Sequence, residues 1–512
     1  MGNSLRTASI HVLDDDSLLN VFYLYRPVLL GADSDSDAYL LGGKRRWVRE
    51  QWWYKLAHVC QRWRNIILGS ASYLGVSLVC TFGTPVTGML AHSPPLPLVL
   101  DYSNIFADVT ADGAEDEESA IVALKKHDRV RRIRLDMPVA DMRKVVMAMD
   151  KEYPILERLL IIRRVENISN AMIFPESFQA PRLRHLALGG FTLPVGSRLL
   201  TNAVGLVTLN LIMTHPATYF YPNTLLQWLS SMPQLETLVI VFSSPVFNDD
   251  VERQIAHTSI TAPVALPNLR RFTFRGFVTY SEALVYQIIT PRLEKLQIDF
   301  FFNQLTFSVP RLLEFMNTTK NLRLDRAVFR FYNGRVDVEV YPRGETETGD
   351  LSIAVDCWHL DWQVSSVAQI SNSLSLVFSA VEHLTLEHEA HSWSIKEHDE
   401  VDRIEWRRLL GSFRNVKTLR IAHALVEGLS LCLQPEDGEL PSELLPELQE
   451  LSYPGGSDIG DTFNSFVDLR QNAGHPITLV RLGSGPRQGP NPCSSSILGN
   501  IFDHTVTCKQ RT

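Results

Sequence analysis

The sequence has few cysteines and lacks any segment that would place it in a membrane or in the secretory pathway. Its six cysteines are scattered, and no two have the Cys-x-x-Cys spacing of a zinc site or of a disulfide framework. No apolar run approaches the roughly 20 residues that span a bilayer. The N-terminal segment MGNSLRTASI lacks the apolar core of a signal peptide. We therefore expect a cytoplasmic or nuclear protein with reduced thiols and no membrane association.

Motifs of enzymes and of nucleotide-binding proteins are also missing. The sequence contains no P-loop and no Rossmann fingerprint, and the segment 482–486 lacks the first glycine of a Gly-x-Ser-x-Gly nucleophile motif. His388 and His391 are one residue too close for a His-Glu-x-x-His zinc helix. The net charge is −8, whereas a generic nucleic-acid-binding protein is usually basic. We predict a protein that is not an enzyme and that binds no cofactor, metal or nucleic acid.

Two short stretches near the N-terminus have the apolar spacing of amphipathic helices. In residues 52–67 apolar side chains recur at three- and four-residue steps, which predicts one continuous helix with a single apolar face. A second pattern, LDDDSLLNVF, occupies residues 13–22, and its aspartates suit a helix N-terminus. Helices this short bury little surface alone, so we expect them to dock on a partner or on a larger body.

The same residues resemble the F-box, the helical module that ties substrate adaptors to a ubiquitin ligase. The resemblance covers residues 10–70 and is most specific in Leu-x2-Val-Cys-x2-Trp-Arg-x-Ile, which begins at Leu56. A Gly-rich, polar insertion at about 27–51 is typical of a surface loop, and it makes the module similar to the expanded F-box-like families of fungi. The resemblance implies that a Skp-type linker subunit, and through it a cullin, binds the surface formed by Leu13, Leu18, Phe22, Leu56, Val59, Cys60 and Trp63.

The body of the chain contains an internal repeat. The motif Leu-x-x-Leu-x-Leu, with apolar substitutes, begins at residues 130, 156, 183, 206, 235, 269 and 293, and again at 381, 416 and 448. Leucine-rich repeats have a period of about 20–29 residues, and each repeat contributes one strand with this motif. The units resemble that family, with helical stretches between the strands. We therefore predict an α/β solenoid in which the helical F-box-like module is followed by an irregular leucine-rich-repeat solenoid over residues 71–483.

Two regions depart from the repeat. Near 325–365 the pattern changes to alternating runs around Asn333-Gly334, which predicts an antiparallel hairpin insertion. Residues 484–512 are rich in Gly, Pro and Ser, which predicts a disordered tail.

The side chains between the apolar residues of each motif are expected to face outward, onto the concave surface that solenoids use for binding. An excess of cations at these positions favours an acidic or phosphorylated target, because arginine pairs well with carboxylate and phosphate. A register shift of one residue would instead turn these side chains inward. The candidate target-binding residues are Arg132, Arg134, Arg158, His185, Arg271, Arg275, Lys295 and Arg420.

The resemblance to F-box proteins with leucine-rich repeats implies a substrate-recognition subunit of a Skp–cullin–F-box ubiquitin ligase. Such a subunit has no catalysis of its own. It brings a target close to the ubiquitin-charged enzyme, so the mechanism is proximity. The alternative is a leucine-rich-repeat scaffold that binds partner proteins without ubiquitin chemistry. Recovery of the linker subunit and the cullin in a pull-down distinguishes the two.

Overall fold

The structure, a computed structural model, describes fifteen segments of the chain, and the statements below concern those segments. They divide into two compact units, one with the described residues up to 79 and one with those from 80 to 482. The predicted loop at 27–51, apart from Gln51, and the predicted tail lie outside the described residues. The fifteen described segments are residues 13–26, 51–103, 113–136, 139–163, 172–194, 196–214, 218–243, 263–301, 309–318, 325–342, 350–357, 359–388, 403–435, 443–454 and 463–482.

The first unit is helical. Its elements are α1 (Asp15–Tyr25), α2 (Trp52–Ala57), α3 (Gln61–Gly69) and α4 (Ala71–Leu74), and the short strand β1 (Leu78–Cys80) follows at the junction with the second unit. As predicted, an aspartate begins α1: the carboxylate of Asp14 accepts a hydrogen bond of 2.7 Å from the backbone N–H of Ser17.

The single helix predicted over residues 52–67 is wrong, because the chain breaks between α2 and α3. His58 ends α2, and Cys60 precedes α3 in an extended conformation with φ −159° and ψ 168°. The side chain of Arg64 donates a hydrogen bond of 3.1 Å to the carbonyl oxygen of Ala57, a group that a continuous helix would pair through its own backbone. The apolar residues keep their helical spacing across the turn at residues 58–60, so the spacing alone cannot show that the helix is broken there.

The second unit alternates strands and helices. Its strands are β2 (Leu98–Ser103), β3 (Val130–Asp136), β4 (Arg158–Ile162), β5 (Met172–Ile173), β6 (His185–Gly189), β7 (Phe191–Thr192), β8 (Thr208–Met213), β9 (Thr237–Phe242), β10 (Val264–Ala265), β11 (Arg271–Gly276), β12 (Ile288–Ile289), β13 (Lys295–Phe301), β14 (Arg326–Tyr332), β15 (Arg335–Tyr341), β16 (Leu351–Asp356), β17 (His383–His388), β18 (Thr418–Ile421), β19 (Glu450–Pro454) and β20 (Thr478–Leu482).

The helices lie between these strands in sequence, and helices of consecutive repeats pack on one another. They are α5 (Val86–His92), α6 (Gly113–Leu124), α7 (Val139–Met147), α8 (Arg198–Thr201), α9 (Pro222–Leu229), α10 (Val278–Val285), α11 (Pro310–Thr318), α12 (Leu360–Ser373), α13 (Ser375–Phe378), α14 (Arg403–Leu410), α15 (Val426–Leu433) and α16 (Asn464–Asn472). None of the helices in the described segments combines the length and the apolar character needed to cross a membrane.

Most strands of the second unit belong to one sheet, in the order β2-β3-β4-β6-β8-β9-β11-β13-β16-β15-β14-β17-β18-β19-β20. Two small sheets, β5 with β7 and β10 with β12, lie apart from it. All ten strands that the leucine motif predicts are present, and they pair in parallel wherever two of them are neighbours. A large, mostly parallel sheet with helices is consistent with a solenoid-like leucine-rich-repeat fold.

The antiparallel part of the sheet lies where the sequence predicts a hairpin. β14 and β15 pair around the Asn333-Gly334 turn, and β15 pairs antiparallel with β16 as well. These three strands are inserted in reverse order, so that β16 rather than β14 lies beside β13. β14 in turn pairs in parallel with β17, and the repeat resumes from there.

Buried apolar side chains fix which face of the sheet is the core. In the seven motif strands β3, β4, β6, β8, β9, β11 and β13, one residue of each motif occupies the same register position, and every member of this row is fully buried. The side chains between the motif's apolar residues consequently face away from this core, in the register that the sequence predicts. The buried row is Ile133, Leu159, Leu186, Leu209, Leu238, Phe272 and Leu296.

Candidate interaction surfaces

The first unit has a small apolar core of its own. The rings of Phe22 on α1 and Trp63 on α3 meet edge to face, with centroids 4.9 Å apart. Arg62 fastens the start of α1 to α3: it pairs with the Asp15 carboxylate at 2.7 Å and donates a hydrogen bond of 2.6 Å to the carbonyl oxygen of Leu13. The indole N–H of Trp53 donates to the carbonyl oxygen of Ser77. Ring packing and polar contacts together therefore hold α1 against α3.

The predicted linker-binding residues divide into three groups. Leu13 and Val59 are exposed, with 38% and 58% of their surface accessible. Leu56, Cys60 and Trp63 are half-buried. Leu18 and Phe22 are not on the surface at all: both are fully buried in the first unit, which corrects their assignment to a docking face. The physical reason is their spacing of four residues on α1, which presents both side chains toward the same neighbour.

Sequence reasoning missed several exposed apolar residues of the same unit. The described residues expose seventeen large apolar side chains, and eight of these belong to the short first unit. Consecutive residues in the segment YLY at 23–25 are among them, which is a signal that the sequence does contain. We call these eight residues the apolar surface set: Leu13, Val21, Tyr23, Leu24, Tyr25, Tyr54, Val59 and Tyr73.

Aromatic contacts within this set hold some of its members in place. The rings of Tyr23 and Tyr73 lie with centroids 5.1 Å apart, and the Arg26 guanidinium lies over the Tyr23 ring. Tyr25 approaches Trp52, with ring centroids 6.3 Å apart. Rigid aromatic side chains that remain accessible are the residues on which protein interfaces depend most.

In the second unit, five of the predicted target-binding residues fall into one row across the sheet. The row faces away from the core, and no acidic residue occurs at its positions in the seven described strands β3, β4, β6, β8, β9, β11 and β13. Four of its members are Arg or Lys. We call it the cationic row: Arg132, Arg158, His185, Thr208, Thr237, Arg271 and Lys295.

The residues that directly precede the cationic row have a different charge pattern. In this edge row basic and acidic residues alternate, and ion pairs join neighbouring repeats: Arg131 with Glu157 at 2.9 Å, and Arg270 with Glu294 at 3.1 Å. Charges of opposite sign therefore neutralise each other along the edge row. The edge row is Arg131, Glu157, Arg184, Val207, Glu236, Arg270 and Glu294.

Within the cationic row, residues of like charge are direct neighbours. Arg132 is in register with Arg158, and Arg271 is in register with Lys295. Burial lowers the pKa of the Lys295 ammonium and repulsion from Arg271 lowers it further, whereas the carboxylates of Asp350 and Glu339 oppose the change. Between the two pairs lie His185 and two threonines, and a ring nitrogen of His185 lies 3.2 Å from the hydroxyl oxygen of Thr208.

Arg275 does not belong to this row, and its charge is matched inside the chain. It lies 3.6 Å from Asp299 and 3.3 Å from Asp356. Arg335 pairs with the same two carboxylates, at 2.8 Å and 3.7 Å, and also with Asp337. The carboxylate of Asp299 is almost fully buried between the two arginines.

A second group of charges continues this arrangement over the hairpin. Arg330 lies 2.6 Å from Glu339 and 3.0 Å from Glu387, and its guanidinium also donates to the hydroxyl of Tyr341. Together the two groups hold three arginines and five carboxylates, so carboxylates are in excess. We call these eight residues the charge network: Arg275, Asp299, Arg330, Arg335, Asp337, Glu339, Asp356 and Glu387.

Burial changes the acidity of the network. It raises the pKa of Asp356 to about 6, the neighbouring Asp299 adds to the rise, and Arg275 and Arg335 oppose it. Burial also raises the pKa of Asp337, against the effect of Arg335. At neutral pH the network thus holds carboxylates that are less stable as anions than carboxylates in water.

The two remaining candidates are isolated from the row. Arg134 lies two residues further along β3 and is in register with Leu160. Arg420 is exposed on β18, between Thr385 and Ser452 in the register. Among the residues that the structure describes, no group of three or more His, Cys, Asp or Glu side chains is arranged to hold a metal ion.

Comparisons with known proteins do not show a family for this chain. No family model matches the chain, and no curated protein matches it. Among solved structures, the chain is similar to one described as the crystal structure of the TLR13–ssRNA13 complex, with 12% identity and a TM-score of 0.29. The similarity covers 79% of this chain and 49% of the TLR13 chain. The chain thus spans about half the length of that protein.

Proposed function

We propose that the protein is the substrate-recognition subunit of a Skp–cullin–F-box ubiquitin ligase. In this proposal the first unit binds the Skp-type linker subunit, and the sheet of the second unit binds the target protein. The chain would contribute no catalytic group. Its effect would be to raise the local concentration of the target beside the ubiquitin-charged enzyme.

The apolar surface set is the observation that most supports the first part. A small helical unit exposes large apolar side chains at a density that the much longer second unit does not match. Large apolar side chains left exposed at such a density suit a site of interaction with another protein. Val59 is 58% exposed and lies in the turn between α2 and α3, within the segment that most resembles the F-box.

The second part is supported by the outward-facing residues of the large sheet. They are mostly polar and include both the cationic row and the charge network, whereas the leucines of the motif are buried in the core. A repeat protein presents such residues at regular intervals over a long surface, which suits binding of an extended protein segment.

The alternative is a leucine-rich-repeat scaffold that binds partner proteins without ubiquitin chemistry. The outward-facing sheet supports this function as well as it supports target recognition. What separates the two functions is the role of the first unit: a scaffold has no need of a surface specific for the linker subunit.

Co-purification of a Skp-type linker subunit with the full-length chain tests the proposal. We expect the wild-type chain to recover the linker subunit, and Val59→Asp to abolish recovery because it places a charge in an apolar interface. Val204→Asp is a matched control, because Val204 is also 58% exposed but lies in the second unit. It should leave recovery unchanged.

Two outcomes would contradict the ubiquitin-ligase function. One is failure of the wild-type chain to recover the linker subunit. The other is undiminished recovery by Val59→Asp when its thermal unfolding matches the wild type. Recovery of other proteins without the linker subunit or the cullin would favour the scaffold.

A further inference from the structure

We propose that the junction between β13 and β16 is a pH-sensitive element of the fold, in which one proton shared by the carboxyl groups of Asp299 and Asp356 helps to hold the two strands together. This device goes beyond the proposed function and does not depend on it. It rests on the charge balance of part of the network and on the place which that part occupies in the sheet.

The junction is the point at which the order of the strands departs from the order of the chain. β13 pairs in parallel with β16, although β14 and β15 come between them in the sequence. The pairing runs from Leu296 with Leu351 to Phe301 with Asp356. It joins the parallel strands that end at β13 to the inserted antiparallel strands. Loss of this pairing would therefore separate the two parts of the sheet.

Part of the charge network spans this junction. Arg275 on β11 and Arg335 on β15 each pair with Asp299 on β13 and with Asp356 on β16, at distances between 2.8 and 3.7 Å. Arg335 also pairs with Asp337. We call these five residues the junction group. Its two guanidinium groups tie together the side chains of four neighbouring strands, β11, β13, β16 and β15.

The charges of the junction group do not balance. Three carboxylates share two guanidinium groups, so the group has one negative charge in excess. The carboxylate side chains are largely removed from water, with 1% of Asp299, 18% of Asp337 and 31% of Asp356 exposed. An unbalanced charge at such a site is costly, because burial removes the water that would stabilise it. One bound proton makes the group neutral.

The contacts indicate where this proton is held. Among the described residues none donates a hydrogen bond to Oδ1 of Asp299, although this oxygen is buried. Asp356 pairs with the same two arginines as Asp299, so the two carboxyl groups lie close together. A proton on Asp356 supplies a donor for the buried acceptor of Asp299. Two carboxyl groups that share a site ionise less readily than one, and one of them retains its proton to higher pH.

The acidity of the group is consistent with this assignment. Burial raises the pKa of Asp356 to about 6, and the neighbouring Asp299 adds to the rise, whereas Arg275 and Arg335 oppose it. Asp337 raises the pKa of Asp356 as well. Burial also raises the pKa of Asp337. The junction group therefore gains a proton as the pH falls through about 6.

The other charged groups of the surrounding strands do not supply the missing positive charge. In the remainder of the network Arg330 has two carboxylates of its own, those of Glu339 and Glu387. Lys295 on β13 is accompanied by Asp350, whose carboxylate raises the pKa of the Lys295 ammonium. Each of these cations is thus matched by at least one nearby carboxylate.

The groups that follow β16 in the chain are an acid, a thiol and a histidine. Asp361 lies in the first turn of α12. Burial raises the pKa of the Cys357 thiol to about 12, so the thiol is neutral. The His359 ring packs against the Trp362 ring, with centroids 4.6 Å apart. His359 is the nearest histidine in the sequence, so its titration has to be separated from that of Asp356 by experiment.

The shared proton links pH to opening of the junction. In an opened junction Asp356 would face water and have the ordinary pKa of about 3.9, whereas in the closed junction its pKa is about 6. The closed form binds more protons between these values. The stability that depends on the proton is therefore present below about pH 4 and is lost as the pH rises to about 6. The opening equilibrium constant should rise by up to about 100-fold as a result.

Hydrogen exchange of the full-length chain, measured by mass spectrometry from about pH 4 to about pH 7.5, tests the inference. Rates are converted to protection factors, which remove the intrinsic effect of pH on exchange. We expect protection of the β13 and β16 amides to fall between about pH 4 and 6 and to level off above that range. The amides of β9 are the internal reference, because β9 contains no titratable side chain. Their protection should change less.

Two variants restore the charge balance without a proton. Asp356→Asn and Asp299→Asn each leave two carboxylates on the two arginines of the junction group. Each should therefore flatten the pH dependence of β13 and β16 protection, whatever it does to the overall stability. If Asp299→Asn does not fold, Asp356→Asn decides the test, because it keeps the most buried carboxylate in place.

Matched controls change other titratable groups near the junction. Glu294→Gln removes a carboxylate from the exposed pair with Arg270, directly before β13. His359→Gln removes the nearest histidine in the sequence. Both controls should keep the wild-type dependence of β13 and β16 protection on pH.

Four results would overturn the inference. Protection of β13 and β16 could follow that of β9 at every pH, or it could rise with pH. A folded asparagine variant could retain the wild-type dependence. His359→Gln could abolish that dependence, which would assign the proton to the histidine. None of these results bears on capture of the linker subunit, which tests the proposed function separately.

Discussion

Phe22 and Trp63 meet edge to face, with ring centroids 4.9 Å apart and ring planes inclined by 64°. The contact joins α1 to α3, although the two residues are separated in sequence by the insertion at 27–51. Phe22 is almost fully buried, whereas Trp63 keeps part of its ring accessible. An aromatic residue that contacts the core on one side and solvent on the other can support the fold and a partner at once.

Replacement of Phe22 by alanine should destabilise the first unit by about 3 kcal/mol or more, through lost burial and the cavity left beside Trp63. Hydrogen exchange of the α1 and α3 amides, measured by mass spectrometry, would report the loss. Tyr25→Ala is the control, because Tyr25 is 62% exposed and its removal leaves no cavity. Equal exchange in the Phe22 variant and the wild type would contradict the burial of this ring.

Replacement of Asp299 by alanine should cost about 3 kcal/mol of unfolding free energy, because it removes the more buried of the two carboxylates that Arg275 and Arg335 share. Urea denaturation followed by tryptophan fluorescence measures the change. Glu294→Ala breaks the exposed pair with Arg270 and should cost under about 1 kcal/mol. A similar cost for both variants would show that burial adds nothing to the Asp299 contacts.

The raised pKa of Asp356 predicts a particular pH dependence of stability. The folded-state pKa of about 6 lies above the value of about 3.9 in an unfolded chain, so between these values the folded state binds more protons. The part of the stability that depends on Asp356 is therefore greatest below about pH 4 and is lost as the pH rises to about 6.

The Asp356→Asn variant isolates this dependence. The wild-type stability minus that of Asp356→Asn should fall as the pH rises from about 4 to about 6 and should stay level above that range. Denaturation curves for both proteins at each pH supply the difference. A difference that rises with pH would mean that the arginines Arg275 and Arg335 dominate and that the Asp356 pKa is lowered.

Replacement of Gly190 by alanine should destabilise the second unit by about 1–2 kcal/mol. Gly190 has φ +79°, and a Cβ atom there would lie 2.9 Å from the hydroxyl oxygen of Thr214 and 3.1 Å from Cβ of Arg163. Gly88→Ala makes the opposite prediction, since Gly88 is inside α5 with open space around it. It should stabilise by about 0.5–1 kcal/mol. Melting temperatures of the two variants should therefore shift in opposite directions.

The repeating part of the fold can be predicted from the sequence alone. The leucine motif located ten strands and their buried faces, because a strand with one buried side repeats its apolar residues at a period of two, and this is a local property. Asn333-Gly334 marked the turn between β14 and β15 for a similar reason, since the turn's backbone conformation restricts which residues can occupy it. The outward orientation of the cationic row followed from the same alternation.

Contacts between residues far apart in the sequence depend on the three-dimensional fold and could not be predicted from local patterns. Arg275 pairs with Asp356, 81 residues away, and Arg335 with Asp299, 36 residues away, because β16 rather than β14 lies beside β13. No local pattern specifies that strand order, so the sequence alone predicts Arg275 on a binding surface, although the structure pairs its charge with Asp299 and Asp356. The burial of Leu18 and Phe22 has the same cause: an apolar period shows that a helix has an apolar face, but not whether that face meets α3 or another protein.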